Sequence, residues 1–167
     1  MPILARDLME TDLRTLDPNA PLLQAHRLFL EEEINGAPVV DEDGHLFGVI
    51  SSLDLLRAVE DEYGGRSGAT VPFYFHRDLP YSGPDWLHDV VDFQDRIADL
   101  RVADAMVTEV VSVPSGTLVT DIARIMRTQR IHRILIIDDG ELLGIVSTFD
   151  LMRLLETASA PERLSIE

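Results

Sequence analysis

The chain has 167 residues, 46% of them apolar, enough for one ordinary hydrophobic core or two small ones. It has no cysteine, which excludes disulfides, thiolate metal sites and a cysteine nucleophile. Its formal charge of −16, with 14 arginines and no lysine, argues against duplex nucleic acid, whose phosphates need clustered cations. No apolar run approaches the roughly 18 residues of a membrane span, and Met1-Pro2-Ile3-Leu4-Ala5-Arg6-Asp7 lacks the layout of a secretory leader, so a soluble cytoplasmic protein is expected.

In chain order, Asp7-Leu8-Met9 comes first. Pro21 to Glu33 then places Leu22, Ala25, Leu28 and Phe29 at helical spacing. Ala37-Pro38-Val39-Val40 is a short apolar run suited to a buried strand. Asp41-Glu42-Asp43-Gly44 is a turn, Leu46 to Ile50 a second strand, and Ser52 to Glu60 a closing helix. Residues 61–99 change character, with Gly64, Gly65, Gly68, Pro72, Pro80, Gly83 and Pro84 among Phe73, Tyr74, Phe75, Tyr81 and Trp86. A free linker carries few aromatics. This insert is therefore expected to pack on the rest as a lid, a dimer contact or groove filler, with a helix from about residue 84 to 100.

From residue 100 the pattern returns. Asp7, Arg27, Ile34 and Asp41 recur 97 positions later as Asp104, Arg124, Ile131 and Asp138. After the extra turn residue Asp43 the offset becomes 96, through Gly48/Gly144, Ser51/Ser147, Asp54/Asp150 and Glu60/Glu156. The second copy reads as a helix from Leu118 to Gln129, strands Ile134–Ile137 and Leu142–Val146 around Asp138-Asp139-Gly140, and a closing helix Thr148–Glu156. The fold class is α/β (α+β): two β-α-β-β-α repeats, 1–60 and 100–157, around the 61–99 insert, with a C-terminal tail at 158–167. Acidity is uneven, −8 over residues 1–60 and only −2 over 100–157, so an anion finds its cations in the second copy.

Taken together, Gly36-Ala37-Pro38-Val39-Val40-Asp41, Gly48-Val49-Ile50-Ser51-Ser52-Leu53-Asp54, Gln129-Arg130-Ile131-His132-Arg133 and Gly144-Ile145-Val146-Ser147-Thr148-Phe149-Asp150 resemble the cystathionine-β-synthase (CBS) domain. The duplication resembles a Bateman module. The resemblance covers about 120 residues and leaves out 61–99 and the tail. It implies two repeats packed by their strands around two clefts, often dimerising into a disc. It also implies a regulatory role, sensing adenine nucleotides or, in some members, S-adenosylmethionine or another adenosyl compound.

The residues carry compatible chemistry. In Gly48…Ser51…Asp54 and Gly144…Ser147…Asp150 a strand ends on a serine beside the free amides of a helix, a natural anion position. The aspartate one turn on can accept two hydroxyls of a ribose. The same spacing also suits plain helix capping, with serine at the N-cap. Arg130, His132 and Arg133 have no cationic counterpart in the first copy, where Glu33, Asn35 and Gly36 stand. Arginine grips phosphate through paired hydrogen bonds, although Arg127 and Arg130 would equally complement a helix C-terminus.

By the family pattern each cleft mixes the repeats. Ala20, Ala25, Ile34, Asn35 and Gly36 would line the cleft of Ser147, Thr148 and Asp150, and Thr117, Ile122, Ile131, His132 and Arg133 that of Ser51 and Asp54. The absence of lysine and the acidic body favour one occupied site, and AMP or ADP over ATP. Walker, dinucleotide, zinc-protease and nucleophile-elbow motifs are missing, so no enzyme and no catalytic cofactor are expected. No metal site is expected either, since His26, His45, His76 and His88 lack ligand spacing. The hairpin aspartates would hold Mg²⁺ only incidentally, and the nucleotide could separately bring Mg²⁺ with it. The competing readings are a ligand-free dimerisation scaffold and, more remotely, a hydrolase using Asp54, Asp150 and His132. The expected partners are the small ligand, a second copy and an unidentified protein target.

Overall fold

The computed structural model describes residues 1–60, 72–75 and 90–158. The elements run α1 (Ala5–Leu8), α2 (Leu22–Glu31), β1 (Gly36–Val40), β2 (Leu46–Ser51) and α3 (Ser52–Glu60). A 3-10 turn at Phe73–Phe75 and α4 (Val90–Ile97) follow. The series then repeats as α5 (Val102–Ala105), β3 (Ser112–Val113), α6 (Val119–Gln129), β4 (Arg133–Asp138), β5 (Glu141–Ser147) and α7 (Thr148–Ala158). The chain is an α/β fold of two β-α-β-β-α repeats. Helix α4 is shorter than the 84–100 expectation, and residues 84–89 lie outside the described residues.

Local chemistry explains why the same elements form twice. Asp7 and Asp104 each turn back to accept the N–H of the residue before their helix, from Leu4 at 2.9 Å and Arg101 at 2.8 Å. A carboxylate there satisfies an orphan donor and favours the positive helix end. Helix α2 stops at Glu31, short of the Glu33 expected for it, because Glu33 turns left-handed (φ 54°), whereas α6 ends at Gln129 as expected, where Arg130 turns left-handed (φ 55°). Each repeat then makes an antiparallel hairpin, β1 on β2 and β4 on β5, with a bulge at the equivalent positions Val39/Val40 and Ile136/Ile137. Asp139 (φ 51°) and Gly140 (φ 83°) close the second hairpin as a two-residue turn with both φ positive, which matches strand twist. Strand β3 lies parallel to β4, and Leu16 bridges parallel to Val39 in the matching place of the first repeat.

The repeats exchange their connecting segments. Ala5 N–H donates to the Thr117 carbonyl at 2.8 Å, and Val102 N–H to that of Ala20 at 2.9 Å. Glu10 bridges antiparallel to Ile145 in β5, and Val107 to Val49 in β2. Gly48 and Gly144 exist for this crossing. A Cβ on Gly48 would meet the Val107 carbonyl oxygen at 2.4 Å, and one on Gly144 that of Glu10 at 2.7 Å. The hairpins also meet, Leu46 N–H donating to Gly140 and Leu142 N–H to Gly44, both at 3.0 Å. Every one of these contacts has its partner under the same offset, so the pair has approximate two-fold symmetry.

Two apolar clusters result. One gathers Leu16, Leu22, Ala25, Phe29, Val39, Ile50 and Leu55 of the first repeat with Ile97 from α4. The other gathers Ile122, Met126, Ile131, Ile134 and Val146 of the second with Val49, Tyr74 and Phe75. Helix α4 packs beside α3, where Leu53, Leu56 and Val59 are half-buried. Their equivalents on α7, Phe149, Met152 and Leu155, stand 71%, 57% and 67% exposed.

Candidate functional site

The two serine–aspartate pairs are built alike. Asp54 Oδ2 accepts from Ser51 N–H and Ser51 Oγ, both at 2.7 Å, and Asp54 N–H faces Ser51 Oγ at 3.4 Å. Asp150 Oδ2 accepts from Ser147 N–H at 2.8 Å and Oγ at 2.7 Å, and the return bond is 3.3 Å. Each is a reciprocal capping box, with serine at the N-cap and aspartate at the third helical position. The capping geometry is therefore real. It engages Oδ2 of each carboxylate; Oδ1 of Asp150 faces the Arg153 guanidinium at 3.9 Å. Ser52 N–H donates to the Asn35 carbonyl at 2.8 Å, and Thr148 N–H to that of His132 at 3.0 Å. Across the hairpins, Ser51 lies opposite Gly36 and Ser147 opposite Arg133.

Exposure separates them. Ser51 (0%) and Asp54 (5%) are buried, as are Ile122 and Ile131. Ser147, Thr148 and Asp150 are half-buried, as are Ala20, Ile34 and Asn35. Burial pushes the Asp54 carboxyl above its ordinary value, and the two bonds from Ser51 offset part of that rise. Gly36 is buried, Thr117 half-buried with its carbonyl given to Ala5, and Ala20 gives its carbonyl to Val102. The residues singled out in sequence thus differ in exposure: Ser51, Asp54, Ile122, Ile131 and Gly36 are buried, and Ser147, Thr148, Asp150, Ala20, Ile34 and Asn35 are half-buried.

The cations part company. Arg130 is exposed at the end of α6, and the side chain of His132 faces solvent. Arg133 is half-buried, its guanidinium 4.9 Å from the centroid of the Tyr74 ring. Such a contact is a cation–π pair. Tyr74 was not among the sequence candidates, since an aromatic in an insert carries no signal of which groove it enters. Burial pushes its hydroxyl above the usual tyrosine value, against the opposing charge of Arg133.

One grouping departs from the sequence reading, which gave His45 no ligand spacing. Asp41, Asp43 and His45 bring ligand atoms within 4.8 Å of one another. Asp41 already accepts from the N–H groups of Asp43 and His45, both at 2.9 Å, and those bonds hold its carboxyl below the ordinary value. This is the bonding of a hairpin turn.

Residues 5–61 and 102–157 both match the CBS domain family, and the chain belongs to it. It is a tandem CBS pair, a Bateman module, the class of non-catalytic regulatory, ligand-binding modules. The uncharacterized protein MJ1426 of Methanocaldococcus jannaschii is 27% identical over 154 residues, covering 92% of this chain and 91% of that one. Two other proteins of that organism are longer, and the chain spans 42% and 36% of their length. Among solved structures, CBSX2 of Arabidopsis thaliana in complex with AMP superposes with a TM-score of 0.64 at 22% identity, covering 93% of this chain and 97% of that one. The CBS pair of protein MJ0100, in complex with 5′-methylthioadenosine and S-adenosyl-L-methionine, gives 0.60 at 21%, covering 95% and 99%. Among the described residues no helix is long and apolar enough to cross a membrane.

Proposed function

We propose that the chain is a sensor that binds an adenosine nucleotide, AMP or ADP before ATP, in the cleft at Ser147 and Asp150. The observation that carries the reading is the half-open Ser147–Asp150 pair at the start of α7, whose capping bonds use Oδ2 and leave Oδ1 directed at Arg153. A ribose hydroxyl can donate to that oxygen, and the helix N-terminus favours a phosphate. Thr148 stands beside it, and Ile34, Asn35 and Ala20 supply an apolar and polar wall from the other repeat. AMP bound to CBSX2 and the adenosyl ligands of MJ0100 support the ligand class. The charge of −16 and the absence of lysine weigh against a triphosphate.

Because the repeats exchange segments, a ligand wedged between them changes their packing, and a partner protein or second copy reads the change. Such a shift requires different affinities in the two states. A second copy suits the bare Phe149, Met152 and Leu155 stripe, whose equivalents lie beside α4 in the first repeat. Light scattering should then show a dimer that Phe149→Glu reduces to monomer; a wild-type monomer at tens of micromolar dismisses this arrangement.

Titration calorimetry of nucleotide-stripped protein with AMP, ADP, ATP and S-adenosylmethionine tests the ligand reading. Saturable binding that Asp150→Ala weakens by about 1.5–3 kcal/mol, the loss of a charge-assisted hydrogen bond, is the expected result. Full affinity in that variant removes the site assignment. The complete capping boxes favour the second reading, a ligand-free scaffold, and silence from all four compounds in folded protein would establish it.

A further inference from the structure

We infer that the turn Pro72–Phe75 is a built-in occupant of the Ser51/Asp54 cleft, leaving one open ligand cleft per chain. The inference rests on the ligand-binding reading above and goes beyond it, because it concerns why two equivalent clefts are not equivalent. Tyr74 (5% exposed) and Phe75 (0%) cluster with Ile122, Ile131 and Val49, which come from both walls of that cleft. The Phe75 carbonyl accepts the His132 N–H at 2.8 Å, and the turn packs on β2, the strand that ends at Ser51. The Tyr74 ring lies against the Gly36–Ser51 pair, which puts Gly36 at the Ser51/Asp54 cleft instead of the Ser147 cleft that the family pattern gave it. A Cβ built on Gly36 would be 2.8 Å from Tyr74 Cδ2 and 3.3 Å from Ser51 Cα.

The occupant brings a flat ring, a carbonyl acceptor and a cation partner. The ring is stacked under the Arg133 guanidinium and set edge-on to Phe75, with centroids 5.1 Å apart. These are the recognition elements a planar base would need in the same place. Gly36 is the permissive residue, since any side chain there would strike both the ring and the Ile50 carbonyl at 2.7 Å. The other cleft has no such cover among the described residues, and its Ser147, Asp150 and Ile34 remain half-open. A tethered occupant acts at an effective concentration on the order of millimolar, so a micromolar free ligand does not displace it. Arg133 is held by the same contact and is withdrawn from phosphate while the turn is seated.

Equilibrium dialysis with AMP counts the open clefts. Wild type should bind one AMP per chain and lose it in Asp150→Ala. Tyr74→Ala should bind two, and the added one should vanish in the Tyr74→Ala/Asp54→Ala double variant. Two AMP per wild-type chain, or one per chain in folded Tyr74→Ala, overturns the inference. If neither protein binds AMP or S-adenosylmethionine, the ligand reading fails by itself, and amide exchange at His132 decides the occupancy. Slow exchange in wild type supports a seated turn, whereas fast exchange in wild type overturns it without any variant.

Discussion

The two clefts carry the same hydrogen bonds and differ in what lies over them. Ser51 and Asp54 make the bonds of Ser147 and Asp150 to within 0.1 Å. Yet the first pair is buried, with Tyr74 packed at the Gly36–Ser51 position, and the second is half-open. Capping is a local transaction between residues three apart, so duplication copied it faithfully. Cover comes from the insert, which occurs once. A repeat protein can therefore keep two equivalent sites in its backbone and use one segment to make them unequal.

The largest expected effect tests the symmetric part of that comparison. Gly48→Ala and Gly144→Ala each push a methyl into the carbonyl of a crossing segment and should each destabilise by about 3 kcal/mol. Urea denaturation would show it; a loss below 1 kcal/mol in both would mean that the crossing is not tightly held.

The next effects probe the asymmetry. Ser51→Ala takes two bonds from a buried carboxylate system and should cost about 2 kcal/mol. Ser147→Ala removes a cap at a wetter place and should cost about 1 kcal/mol. Equal losses would argue that the covered cleft is no drier than the open one. The Asp54 carboxyl, held above its ordinary value by burial, should fall toward it in Tyr74→Ala, read by carbon NMR of the carboxyl. No movement would mean that the turn does not cause the burial.

His26 makes a further contrast. It is buried on α2 (6% exposed), where the second repeat has the exposed Ala123. Burial, helped by the charge of Arg27, holds its imidazole below the ordinary 6.5. A lowered folded pKa gives stability that is present above pH 6.5 and lost as pH falls through the folded value. Thermal melts should therefore decline below about pH 6.5, and His26→Gln should flatten that decline. The smallest effect is expected at the helix ends. Glu33→Gly and Arg130→Gly should each stabilise by about 1 kcal/mol, because glycine takes the left-handed φ without strain.

Much of the fold was legible in the sequence, because it rests on short-range rules. The offset from Asp7/Asp104 to Asp54/Asp150 exposed the duplication. Helical spacing marked α2 and α6, and Asp-Gly marked the hairpins. Ser-x-x-Asp located the candidate site while leaving capping and binding undivided. The difference falls at an element end: α2 stops early because Glu33 turns left-handed, which the residue type does not announce, while α6 ends at Gln129 as its spacing predicts. His45 shows no ligand spacing in sequence, because only the folded turn brings its ring to Asp41.

What the sequence determined by itself was therefore the unit, its repetition and the bonds made within a few residues. Tertiary structure alone decided that Glu10 pairs with Ile145 and Val107 with Val49, that Gly48 and Gly144 are small for a neighbour's backbone, and that Tyr74 lies between Gly36 and Arg133. The reason is physical. A helical period or a cap is set by residues in contact along the chain, while a covered cleft depends on which distant surface buries the most apolar area. An aromatic ring in an insert carries no local mark of that choice.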